Sequence, residues 1–182
     1  MVERIVRLIK LDFSAFREIE SDPAATSQAA IIVAVTSFIS ALGSMAGAER
    51  PFMAFLGSLV MGIVGWIVWS IVTYVVGKSL FKGGGTLDQM LRVLGYASAP
   101  KILGVLAFIP CLGWLAALAG AIISLIAGVM AIKEALDVEL GTAVVVVIIG
   151  WIAMAIVSAI IGVLFGGVYA LGAGLQRALS GS

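Results

Sequence analysis

The sequence reads as an all-α integral membrane protein. Five spans form a transmembrane helical bundle, with an amphipathic interfacial helix at the N-terminus and a second one before the third span. Composition is the first reason: 62% of the 182 residues are hydrophobic and 12% are charged, against about 45–50% and 25% in soluble domains. A mean hydropathy of +1.21 leaves too little polar surface to cover a globule in water. The second reason is that residues 23–48, 51–77, 102–132 and 140–176 carry no charge, each exceeding the roughly 20 residues a helix needs to cross the bilayer. The third is cationic asymmetry. Arg4, Arg7, Lys10 and Arg17 precede the first span, and Lys78, Lys82, Arg92 and Lys101 follow the second, whereas only Arg50 lies between them. The positive-inside rule therefore puts the N-terminus in the cytoplasm of a cell whose plasma membrane holds the chain.

Residues 1–22 form the N-terminal unit. Ile5, Leu8, Ile9, Phe13, Phe16 and Ile19 recur near helical spacing, with Arg4, Arg7, Lys10, Glu18 and Glu20 on the remainder. Such a helix lies along the inner interface, with Phe13 and Phe16 in the apolar layer and Arg4, Arg7 and Lys10 at headgroup level. No short basic region leads an apolar run, so no cleavable signal peptide is expected. Asp22-Pro23 ends this helix, and residues 23–182 form the transmembrane domain. Its first two spans cover about 26–47 and 52–77.

Lys82-Gly83-Gly84-Gly85 reads as a flexible hinge. Without a Gly-Lys-Ser/Thr ending or a preceding strand it is no phosphate loop. Thr86 is an N-cap with Asp88 in the first turn. Leu87, Met90, Leu91 and Leu94 share the apolar face of the second interfacial helix, leaving Asp88, Gln89 and Arg92 on the other. A third span over 93–109 turns at Pro110 and Gly113 into a fourth over 113–132, and a fifth covers 142–166. A single kinked helix through Pro110 would give four spans. The cation balance does not separate the two counts, because Lys133 and Arg177 merely exchange sides.

Small residues at four-residue spacing mark helix packing: Ala116, Gly120, Ser124 and Gly128 on one span, and Ser158, Gly162, Gly166, Ala170 and Gly174 on another. Such ladders let helix backbones approach closely, within one bundle or between copies of the chain. Trp66, Trp69, Tyr74 and Trp114 fit interfacial belts. Catalytic candidates are scarce. The sequence has no His, and no span holds Asp or Glu, which excludes the usual serine and aspartyl intramembrane chemistries. Cys111 stands alone, so neither a disulfide nor a cysteine metal site is expected. Lys101, placed just after Pro100, is expected to snorkel to the interface. No enzyme activity, cofactor, metal or nucleic-acid partner is expected. The bilayer is the partner, together with a second copy or another membrane protein.

The string Arg92-Val93-Leu94-Gly95-Tyr96-Ala97-Ser98-Ala99-Pro100 resembles the Gly-Tyr-x-x-x-Pro segment of the Yip domain family, the Ypt/Rab-interacting membrane proteins. The order of features is similar as well: a helix ending in Asp-Pro, two spans, a Gly-rich break, the motif, Pro110 with Gly113, and two closing spans. The resemblance implies five helices with a cytoplasmic N-terminus and a short prokaryotic type of member. It assigns Gly95, Tyr96, Pro100, Pro110 and Gly113 to the motif, where Pro100 bends the helix and Tyr96 anchors it at the interface. Eukaryotic members act in vesicle traffic with small GTPases. Their Asp-Leu-Trp-Gly-Pro-Leu entry segment is missing from this sequence, so the resemblance lends little support to a GTPase partner. Two functions are carried forward: a scaffold that recruits partners or shapes the bilayer, and a channel or carrier for an apolar, lipid-like molecule.

Overall fold

The computed structural model describes residues 1–108, 113–156 and 159. Pro110, Cys111, Ser158, Gly162 and Gly166 lie outside them. Among the described residues every regular element is helical: α1 Val2–Ile9, α2 Ala15–Ser21, α3 Ala25–Ser44, α4 Pro51–Phe81, α5 Leu87–Ala97, a 3-10 helix Ala99–Phe108, α6 Gly113–Leu136 and α7 Leu140–Ile156. Three of these, α3, α4 and α6, are long and apolar enough to cross a membrane.

The N-terminal unit departs from the single interfacial helix expected. It breaks at Lys10–Ser14 for a local reason. Asp12 Oδ1 accepts from the backbone N–H and hydroxyl of Ser14 at 3.2 and 2.6 Å, an Asx turn competing with the helix. Leu11 takes a left-handed φ of 65°, so α1 and α2 fold into a hairpin. Its apolar side meets protein: Leu8, Ala15, Phe16 and Ile19 are fully buried, with α2 on α5 and α6 and α1 on the 3-10 helix.

On α3 the buried residues Ala25, Ala29, Ile32, Val33, Thr36, Ser37 and Ala41 form one stripe of mostly small side chains, which lets α4 and α5 approach. A Cβ on Gly62 of α4 would collide with Ser37. The opposite faces carry Ile31, Val35 and Phe38 outward, as a lipid-facing surface requires.

Gly83–Gly85 is a fitted turn, not a hinge. Lys82 ends α4 in the left-handed conformation at φ 54°, and Gly83 N–H reaches back to Gly77 O at 3.1 Å. Gly84 N–H donates to Leu136 O at 2.7 Å. Gly85 has φ +74°, and a Cβ there would overlap the Ala135 carbonyl oxygen. The turn thus clasps the C-terminus of α6. Thr86 then caps α5 as expected, accepting from Gln89 N–H at 3.3 Å, while Gln89 Oε1 accepts from Thr86 N–H at 2.7 Å.

The expected third span over 93–109 is not one helix. The α-helix stops at Ala97, and ten residues of 3-10 helix follow. Pro100 accounts for this: in a continued α-helix its ring would strike the carbonyl four residues earlier. Nor does α5 lie flat on an interface. It packs against α2, α3, α4 and α6, with Met90, Arg92, Val93, Gly95 and Tyr96 all buried. The tight core gathers at this end of the bundle, around α1, α2, α5 and the C-terminal half of α6. On α4 only Ser70, Thr73 and Gly77 are buried.

Candidate functional site

The motif helix α5 carries polar groups as well as apolar ones into the interior. Arg92, 9% exposed, spreads its guanidinium over three elements. Nε donates to Thr26 Oγ1 at 2.7 Å, Nη1 to the Glu20 carbonyl at 2.9 Å, and Nη2 to Asp88 Oδ2 one turn earlier. Thr26 in turn donates to Asp88 Oδ1 at 3.1 Å, and Gln89 Nε2 donates to Glu20 Oε1 at 2.9 Å. The planar fork suits this task, since one rigid group satisfies the last-turn carbonyl of α2 and the first turn of α3 together.

The hairpin is fastened by two more arginines. Arg4 Nη1 meets Asp22 Oδ2 at 2.7 Å. Arg7 reaches Asp12 at 2.8 Å, Glu18 at 2.7 Å and Ser14 Oγ at 2.9 Å. These contacts hold the Asp22 carboxyl below the usual range, Arg4 first and the Ala24 N–H second. They hold Asp12 down as well, through Ser14 and then Arg7. Glu20 moves the other way. Burial raises its carboxyl, and the carboxylates of Glu134 and Asp137 add to the rise.

The residues expected to face lipid headgroups are therefore placed otherwise. Phe16 is in the core, and Phe13 is half-buried and stacked on it at 6.2 Å between ring centroids. Arg4 and Arg7 are engaged within the protein, and Lys10 is exposed. The reason is that the hairpin turns its apolar side onto α5 and α6, which offer it a matching surface.

The motif residues meet their neighbours at close range. Gly95 lets α5 press on α3, where a Cβ would stand 2.6 Å from that of Ala29. Tyr96 is fully buried within the protein, and its hydroxyl donates to Gln28 Oε1 on α3. Pro100 packs on α6, with its carbonyl oxygen 2.7 Å from where a Cβ on Gly120 would sit. In the small-residue ladder Gly120 and Ser124 are buried, Ala116 and Gly128 partly so, and Gly113 is buried at the start of α6. Ala131, Ala135 and Leu136, beyond the ladder, are buried as well. The Trp66 indole N–H donates to Leu91 O at 3.2 Å, tying α4 to α5. Among the described residues no group of three or more His, Cys, Asp or Glu could hold a metal.

The sequence pattern puts Glu20 and Arg92 on polar helix faces and singles out neither Thr26 nor Gln28. A signal was present. Asp88, Arg92 and Tyr96 follow at i, i+4 and i+8 opposite an apolar face, the pattern of a helix with partners on both sides.

Between α2 and α6 the surface opens into a cleft of about 500 Å³, lined by Phe13, Ser14, Arg17, Glu18, Met130 and Glu134 among others. The Arg17 side chain is 83% exposed, with Nε 3.6 Å from Glu134 Oε2.

An amphipathic hairpin seated on a bundle of long apolar helices, tied in by a buried arginine on a Gly-Tyr-x-x-x-Pro helix, defines a polytopic helical membrane protein. The particular family follows from the comparison of sequences: the chain belongs to the Yip1 domain family, whose model matches residues 12–161. No curated protein and no solved structure matches it. The matched stretch starts inside the α1–α2 hairpin and takes in α2 and every later described element.

Proposed function

We propose that this Yip1-family membrane protein is a non-enzymatic scaffold or adaptor of the plasma membrane, recruiting a partner through the cytoplasmic face of the α1–α2 hairpin. The observation that carries the reading is the cleft between α2 and α6. It joins a half-buried aromatic, Phe13, and Met130 to the exposed Arg17, residue types enriched where proteins dock, with Glu134 also in its lining. The topology proposed with it has five crossings: α3, α4, Leu87–Phe108, α6 and the segment opened by α7. At about 1.5 Å per α-helical and 2.0 Å per 3-10 residue, α5 and the 3-10 helix together extend roughly 35 Å, enough for the third crossing. The cations of the hairpin and of the Lys78–Arg92 segment support a cytoplasmic N-terminus.

The test is site-specific photo-crosslinking in the native membrane, with the reactive side chain at Arg17 or Ser21 and a control at Met53 at the far end of α4. A discrete protein adduct at Arg17 and Ser21, lost when Glu134→Arg inverts the cleft, is expected. Adducts no stronger than those at Met53 would overturn the adaptor reading.

A further inference from the structure

Lys101 is exposed on the surface of the chain, and among the described residues no acidic residue faces it there. It lines two clefts, each together with Trp69: one of about 460 Å³ against α6 and α7, and one of about 470 Å³ between α3 and α4. Ser124 lines the first. Trp69 precedes Lys78 by nine residues, and Ser124 precedes Lys133 by nine, so at 1.5 Å per residue both lie roughly 14 Å inside the level of those flanking cations. That is about half of a 30 Å hydrocarbon layer, farther than a four-carbon stem reaches. Among the described residues the Lys101 ammonium has no hydrogen-bond acceptor and no acidic partner. In the same cleft, Ser124 Oγ is buried without a hydrogen-bond partner. Two donors without acceptors thus flank one cleft at membrane depth.

An unneutralised charge there is costly and marks a site whose counter-ion comes from elsewhere. The cleft determines what kind. Leu125, Gly128, Val129, Ile132, Val147 and Trp151 make the rest of its lining apolar, and its volume suits one small ligand. We infer that Lys101 and Ser124 hold the carboxylate of a long-chain fatty acid, whose single acyl chain lies in the groove between α6 and α7. A carboxylate matches one ammonium charge for charge, leaving a neutral pair in hydrocarbon. A phospholipid would have to pull a hydrated headgroup and a second chain to the same depth. This site stands apart from the proposed docking face and does not depend on it.

Native mass spectrometry of the full chain released from detergent tests the assignment, with oleic acid, oleyl alcohol and dioleoylphosphatidylglycerol offered separately. One oleate per chain is expected, with oleyl alcohol and the phospholipid at background. Lys101→Met should weaken oleate retention by about tenfold or more, the loss of a charge-assisted pair. Lys101→Arg should keep it, and Lys133→Met should leave it unchanged. Gly128→Leu is a second route, since a Cβ at Gly128 meets nothing within 4 Å and the larger side chain fills the groove with Lys101 intact. Equal retention of oleyl alcohol, Lys101-dependent retention of the phospholipid in place of oleate, or undiminished oleate binding by folded Lys101→Met would each overturn the proposal.

Discussion

Three consecutive glycines offer a direct contest between a hinge and a fitted turn. Alanine at Gly83, Gly84 and Gly85 changes the same atom count each time, but the surroundings differ. At Gly84 the new Cβ would lie 3.6 Å from Leu136 O and 4.0 Å from the Asp137 Cβ, ordinary contact distances. At Gly83 it would lie 3.1 Å from the Leu136 Cβ and 3.3 Å from Gly77 O, so its neighbours must yield by a few tenths of an ångström. At Gly85 it would overlap the Ala135 carbonyl oxygen, at a φ of +74°. The left-handed conformation alone costs alanine about 1–2 kcal/mol. Relieving the overlap must move the turn off α6 and lose the 2.7 Å bond from Gly84 N–H to Leu136 O, about 1 kcal/mol more. Gly85→Ala should therefore destabilise the protein by about 2–3 kcal/mol, or roughly 4–12 °C in melting temperature for a chain of this size. Gly84→Ala should be neutral or stabilising by up to about 1 kcal/mol, through the unfolded chain. Gly83→Ala should fall between them. Thermal unfolding in one detergent, followed by fluorescence, ranks the three. Equal melting temperatures for the Gly84 and Gly85 variants would refute the fitted turn and restore the hinge.

The Arg92 fork predicts that Arg92→Met costs about 2–4 kcal/mol, because three acceptors lose a charged donor. Arg92→Lys should recover only part of this, since an ammonium cannot span three elements in one plane; chemical denaturation measures both. In the hairpin, Phe16→Ala should cost about 3–5 kcal/mol, and Phe13→Ala, half-buried, about 1–2 kcal/mol; equal effects would mean the hairpin is not seated on α5 and α6. The pH dependence has two signs. Asp12 and Asp22 are held below the usual carboxylate range, so their contribution is present above that range and lost as pH falls through their folded-state values. Amide protection factors in residues 2–21, taken relative to the intrinsic exchange rate at each pH, should fall between pH 7 and about pH 3. Glu20 is raised, so its ionised form disfavours the fold. Glu20→Gln should raise the melting temperature at pH 7, and that advantage should vanish as pH falls and the wild-type carboxyl takes up its proton.

The long apolar helices were readable because one local property decides them. The charge-free runs anticipated 26–47, 52–77 and 113–132, and the helices lie at Ala25–Ser44, Pro51–Phe81 and Gly113–Leu136. The Thr86 cap was readable for the same reason, as its partner Gln89 is three residues away. What escaped depends on contacts distant in sequence. Nothing near Arg92 says that Thr26 and the Glu20 carbonyl wait for it across more than sixty residues. Nothing near Gly85 announces Ala135. The Asx turn at Asp12–Ser14 is local and was legible in principle, but six apolar residues at helical spacing on either side outweighed it. That spacing identified the buried side chains correctly and the surface that buries them wrongly, since amphipathicity does not distinguish a lipid face from a neighbouring helix.

The motif Gly95-Tyr96-x-x-x-Pro100 then has one physical reading across its length. Gly95 brings the backbone of α5 onto Ala29, and Tyr96 locks that contact through Gln28. Four residues beyond Tyr96, Pro100 forbids another α-helical turn and presses its carbonyl toward Gly120 instead. The chain continues as 3-10 helix, which rises about 2.0 Å per residue against 1.5 Å, so the same few residues travel farther along α6. Irregular backbone at membrane depth must find its hydrogen bonds within the protein. Ser98 serves this need at the junction, its N–H and Oγ both donating to Gly95 O, at 3.2 and 2.7 Å. The change of helix type also decides where Lys101 goes. It comes directly after the proline, lining a cleft together with Trp69 and Ser124 and not on a helix face paired with an acid. The residues that make the third segment pack are thus the same ones that leave a cation in the clefts.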